Sequence, residues 1–207
     1  FFGIKNKNLN VQKKDQSFNF SGMTGCLNLY NTLFDKTLIS VNKANCEDGA
    51  NIVNSFGNIK KIHVKDVSSD ALDIDFSDVN IDHIEVSNAG NDCVDVSGGL
   101  YKFKIVNLIN CGDKGVSIGE KSELKINKLL VEIAEIGLSS KDLSLTNVIA
   151  AQFKKVKYCF EAVQKKQEFG GTRLKFGYID CKKGYIIDKN SIKLIGTKWV
   201  SEKNKNI

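Results

Sequence analysis

The chain of 207 residues has the length of one to one and a half domains, and its 42% hydrophobic and 26% charged content is that of a soluble globular protein. No apolar run approaches the roughly 18 residues of a membrane span, so membrane insertion is not expected. The net charge of +6 invites an anionic partner, yet five Tyr and one Trp supply no aromatic-and-basic motif for nucleic acid. Much of the excess charge lies near the ends, at Lys5, Lys7, Lys13 and Lys14 and at Lys182, Lys183, Lys189, Lys193, Lys198, Lys203 and Lys205, where it reads as solvated termini. The chain opens on Phe1 rather than Met, and is read as one domain over 1–207 that can be a segment of a larger protein.

A repeat governs the predicted elements. Cys26 to Leu29, Gly49 to Ile52, Ala71 to Ile74, Cys93 to Val96, Gly115 to Ile118, Gly137 to Ser140 and Cys159 to Ala162 are short apolar segments 22 residues apart, apart from one extra residue after the first; Cys181 continues the series. Each is followed by a second apolar stretch: Ile59 to Val67, Ile81 to Ala89, Phe103 to Cys111, Leu124 to Ile133, Leu145 to Phe153, Leu174 to Ile179 and Ile192 to Val200. Short strands separated by Gly, Asn, Asp and Ser predict one turn of a parallel solenoid per repeat, roughly seven turns in all. Leucine-rich spacing is absent, and a chain with no Pro suits a fold in which nearly every N–H joins a ladder.

Stacked rungs place residues one repeat apart about 4.8 Å from each other. Ala50, Leu72, Val94, Val116, Leu138 and Phe160 then face inward, with Ile52, Ile74, Val96 and Ile118 as a second inward file. Asn51, Asp73, Asp95, Ser117, Ser139 and Glu161 face outward. Cys26, Cys93, Cys159 and Cys181 share a column with Gly and Ala, and read as small buried hydrophobes; Cys159 and Cys181 are near enough for a disulfide, while Cys46 and Cys111 find no partner at this spacing. Asp66, Asn88 and Asn110 predict a hydrogen-bonded ladder along a bend. His63 and His83 fall in different columns and read as surface or satisfied residues.

The outward positions of the middle rungs collect charge. Asp73 beneath Asp95 is a like-charge pair about 5 Å apart, a repulsion on the order of 1 to 3 kcal/mol. Three offsets are available: Lys114, which follows Asp70 and Asp92 in its column; a bound cation such as Ca²⁺; or a raised pKa that keeps one carboxyl protonated. No other cofactor is expected. The groove is expected to be lined further by Asp113, Glu120, Lys141, Glu161 and Lys165.

Three successive segments carry a resemblance: Asp70-Ala71-Leu72-Asp73, Asn91-Asp92-Cys93, and Asp113-Lys114-Gly115-Val116-Ser117-Ile118-Gly119. They resemble the consecutive active-site turns of polygalacturonase-type parallel β-helices, in the pectin-lyase-like class, over about a third of the chain. The repeat pattern and Lys165 to Phe169 also resemble β-helix proteins associated with bacterial surface polysaccharide. The resemblance implies an all-β, single-stranded, right-handed parallel β-helix of about 22 residues per turn in a secreted, periplasmic or cell-surface setting. It also implies Asp70 and Asp92 as catalytic carboxylates, and Lys114 in place of the family's His. Asn91 occupies the position of a third carboxylate, which favours lyase or epimerase chemistry on an anionic polysaccharide, with Lys114 as base or charge neutraliser, over hydrolysis. A noncatalytic carbohydrate-binding or structural module is the rival expectation.

Overall fold

The computed structural model describes residues 22–200; Lys5, Lys7, Lys13, Lys14, Lys203 and Lys205 and the side chain of Lys198 lie outside the described residues. Fourteen strands follow in chain order: β1 (Gly25–Tyr30), β2 (Leu33–Ala44), β3 (Asp48–Val53), β4 (Phe56–Val67), β5 (Asp70–Asp75), β6 (Asp78–Ala89), β7 (Val94–Ser97), β8 (Leu100–Cys111), β9 (Lys114–Gly119), β10 (Glu123–Lys141), β11 (Leu145–Val163), β12 (Arg173–Asp180), β13 (Gly184–Ile187) and β14 (Ile192–Val200). Of the short strands, β7 is buried at every second residue, the period of a strand with one apolar face, while β3 and β9 are buried along nearly their whole length. The long strands keep that period only in pieces. Along β6 the inward residues are Val79 and Ile81, then Ile84 and Val86, then Ala89, and each skip of three turns the strand round a corner.

Every pairing is parallel. The odd strands stack as β1-β3-β5-β7-β9 and the even ones as β10-β8-β6-β4-β2, with β10 and β11 each running from one stack into the other. The result is a parallel β-helix of about eight turns with about 22 residues per turn, one more turn than the apolar stretches suggest because β2 also completes a rung. Predicted columns are observed rung by rung: Ala50, Leu72, Val94, Val116, Leu138 and Phe160 align, as do Asn51, Asp73, Asp95, Ser117, Ser139 and Glu161. Both predicted apolar files are fully buried, and the core runs as one cluster through the centre.

Two corners hold each turn. At one, the Asn88 amide donates to Asp66 at 2.7 Å and that of Asn110 to Asn88 at 3.0 Å. All three backbones have positive φ, which Asn and Asp tolerate better than most residues. At the other corner, hydroxyls do the stacking: Ser55 Oγ accepts the Thr32 amide and Ser77 Oγ that of Ser55. Gly99 interrupts this file, and the Tyr101 hydroxyl occupies the vacated place, 2.9 Å from the Ile74 carbonyl and 2.8 Å from that of Ser97.

The cysteine reading needs correction. Cys46 and Cys111 are partnered, in Cys26–Cys46 and Cys93–Cys111, with Cα atoms 5.4 and 5.3 Å apart; Cys159–Cys181 is the third disulfide, at 6.2 Å. Only the last follows the rung spacing. The other two join residues 20 and 18 apart, because a chain that has gone almost once round returns beside its own starting point. The thiols are therefore cross-links as well as buried groups.

Candidate functional site

The odd-numbered strands present their outward residues on one acidic face, built from three neighbouring files. Asp48, Asp70 and Lys114 begin β3, β5 and β9, and Asp92 takes the same place two residues before β7; Asn51, Asp73 and Asp95 stand three residues further on; Val53, Asp75 and Ser97 end the strands. The approach to the first file is set by glycine: a Cβ on Gly112 would lie 2.0 Å from the Gly90 carbonyl oxygen, so the bends before Asp92 and Lys114 stack backbone on backbone.

Asp70, Asp92 and Lys114 thus meet as the sequence predicts, and the carboxylates do structural work there. Asp70 Oδ1 accepts the Asp92 amide at 2.8 Å and the Asn91 side-chain amide at 2.7 Å, and Asp92 Oδ1 accepts the Lys114 amide at 2.9 Å. Lys114 sits 3.6 Å from Asp92 and pairs directly with Asp113. Burial pulls the Lys114 pKa down, but the hydrogen bond to Asp113 and the charges of Asp92, Asp113 and Glu161 outweigh it and leave the ammonium above its ordinary range. Asp92 is pushed up to about 6, first by burial; the Lys114 charge opposes that rise, and Asp70 and Asp95 add to it.

The middle file carries the strongest perturbation. Burial, with repulsion from Asp75, Asp48, Asp95 and Asp70, raises Asp73 to about 9. The Asn51 amide donates to Asp73 Oδ2 at 2.9 Å. Asp75 rises to about 6 through burial and the Asp95 and Glu120 charges, moderated by its hydrogen bond with Asp73. Asp73 is therefore a protonated carboxyl at neutral pH, bonded to a more acidic neighbour and in register with Asp95. The stacking of Asp73 on Asp95 is relieved by the raised pKa of Asp73, one of the three expected offsets, whereas Lys114 offsets Asp92 and Asp113 in the neighbouring file. Among the described residues no group of three or more His, Cys, Asp or Glu is arranged to hold a metal ion, so Ca²⁺ has no ligand set of that kind.

The remaining predicted residues spread around this centre. Glu161 accepts the Ser139 hydroxyl at 2.5 Å, two rungs beyond Ser117. Lys141 is buried rather than lining a groove: its stem passes over Gly119 and its ammonium donates to Ser117 Oγ at 2.8 Å, which closes off the outward side of Ser117. Glu120 pairs with Lys166. Lys165 is exposed on the segment Gln164 to Thr172, which buried Asp142 anchors by accepting the Lys165 and Lys166 amides at 2.7 and 2.9 Å. His63 and His83 lie on the second stack, away from the acids, with His63 opposite Glu85 and His83 opposite Lys61.

Two further members of the site are Asp48, absent from the sequence reading of this face, and Asp75, one of the outward charges of the middle rungs to which that reading gives no role. Asp48 is raised to about 7, chiefly by burial, and its Oδ2 has no hydrogen-bond partner. Its signal was present, since it stands one repeat before Asp70. Asp75 follows Asp73 by the two residues that return a strand to the same face. Comparison with known proteins adds no assignment: no protein family, curated protein or solved structure matches the chain.

Proposed function

We propose that the protein is a polysaccharide-handling β-helix whose acidic face performs acid–base chemistry on a glycosidic linkage, with Asp73 as proton donor and Asp75 and Asp95 as its carboxylate neighbours. The carrying observation is the cluster of Asp73, Asp75 and Asp95 on one face of β5 and β7, where burial and mutual repulsion push Asp73 well above the ordinary carboxylate range. Protonating a leaving glycosidic oxygen needs a carboxyl that keeps its proton at neutral pH, and the second step needs an ionised carboxylate close by. Lys114 takes the role of charge neutraliser. Its ammonium is held by Asp113 and Asp92, and proton abstraction beside a uronate carboxylate would need the free amine. This favours hydrolysis over lyase or epimerase chemistry on this face, and a neutral sugar over an anionic one, because an acidic face repels carboxylates. The three disulfides suit an oxidising compartment such as the periplasm, cell surface or exterior.

A noncatalytic carbohydrate-binding module is the second reading, supported by the commitment of Asp70 and Asp92 to backbone amides. Incubation with a panel of neutral and uronate polymers separates the two. New reducing ends are expected from a neutral polymer, reduced about 10²- to 10⁴-fold in Asp73→Asn. Absorbance of an unsaturated product, lost in Lys114→Ala, would restore the lyase reading; NMR of the recovered polymer detects epimerisation. No turnover of any polymer leaves the binding module.

A further inference from the structure

A groove lies away from the acids. It occupies about 520 Å³ on the adjacent face, where β8, β10, β11 and β12 leave the corner stacked by hydroxyls. Two files line it. In the outer one Leu100, Glu123, Leu145 and Arg173 are neighbours, and in the next Lys102, Lys125, Asn147 and Lys175 follow one another on four successive rungs. Lys102 and Lys125 also line a smaller hollow of about 360 Å³ that continues the groove sideways.

Lys102, Lys125, Arg173 and Lys175 are all exposed, and none of the four forms an ion pair among the described residues. Other lysines of the same stack do: Lys61 with Glu85, and Lys104 with Asp82. Four unpaired cations in one groove, against the rim acids Asp78 and Glu123, make it locally positive. We propose that this groove binds an acidic polysaccharide, one that carries a carboxylate or sulfate on each sugar, at a site separate from the acidic face.

The rung spacing of about 4.8 Å is close to the length of one sugar unit, so Lys102 and Lys125 meet adjacent anionic sugars of a chain lying along the helix axis, Asn147 meets the next, and Lys175 the one after that. Leu100 and Leu145, 49% and 43% exposed, stand in the file beside the lysines and offer apolar surface to sugar rings. A single-stranded nucleic acid would require exposed rings on which to stack its bases, and Tyr101, the aromatic residue in the lining, is 1% exposed and turned into the core.

The test titrates the full chain, at low and at physiological salt, with polygalacturonate, with neutral dextran and with a single-stranded DNA oligonucleotide. Polygalacturonate is expected to bind, more weakly as salt rises, and dextran not to bind. The double variant Lys102→Glu/Lys125→Glu is expected to lose about tenfold or more in affinity. Lys65→Glu/Lys154→Glu makes the same change of net charge on the far face of the even-strand stack, and is expected to stay near wild type; Asp73→Asn should bind polygalacturonate unchanged. Thermal melts of each variant confirm folding. Equal losses in both lysine doubles, absence of polygalacturonate binding, or tighter binding of DNA with the same dependence on Lys102 and Lys125, would each overturn the proposal.

Discussion

Asp73 shows how a single side chain ties this fold to pH. An unfolded Asp titrates near 3.9, whereas Asp75 and Asp92 titrate at about 6, Asp48 at about 7 and Asp73 at about 9 in the folded chain. Between those limits the folded state binds more protons than the unfolded state. The stability held by these four groups is therefore complete below about pH 4 and is lost as pH rises through 6, 7 and 9. Denaturant midpoints measured from pH 4 to 9 should fall, by on the order of 1 kcal/mol per carboxyl after allowance for partial exposure. Asp73→Asn should flatten the alkaline part of that slope; a midpoint that climbs with pH would refute the account. Lys114→Ala leaves Asp92 without its cation and should cost about 1–3 kcal/mol, against less than about 0.5 for a merely solvated lysine.

At the scale of strands and corners, the side-chain ladders hold the register. Asn88 both accepts from Asn110 and donates to Asp66 while its backbone has φ of 59°. Asn88→Ala should destabilise by about 1–2 kcal/mol, and Asn88→Gly should recover the backbone share while still losing the hydrogen bonds. Thermal melts that rank Ala at or above Gly would contradict this division. The ladder was legible in the sequence because its members recur at the repeat length, and the same holds for Asp70, Asp92 and Lys114. Cys93–Cys111 was not, since its partners meet after a nearly complete circuit instead of one rung apart. Nor was the burial of Lys141, whose ammonium turns back to the preceding rung to reach Ser117 Oγ.

At the scale of the whole described molecule, the odd strands gather the buried acids on one face, while the groove on the even strands holds exposed cations that form no ion pair among the described residues. That division was hidden in the sequence: Lys102, Lys125 and Lys175 are far apart along the chain and become neighbours only when long-strand register is known, whereas the lysines near the ends drew attention by clustering. Each of the two disulfides that close a single turn spans about 20 residues, and removing one as a Cys93→Ser/Cys111→Ser pair should cost about 2–4 kcal/mol. Because contacts in a solenoid run between adjacent turns, that loss should show in hydrogen exchange as opening around β7 and β8 before the other rungs, and uniform exposure would argue against it. The corner after each odd-stack segment varies in length along the axis, with two residues between β1 and β2, three between β10 and β11, nine between β11 and β12 and four between β13 and β14, and the flanking strands are paired throughout. Foreign sequence grafted between Gln164 and Gly171 should then be carried as a display loop beside the acids, a position from which an epitope or a fluorophore reports occupancy without unravelling the coil.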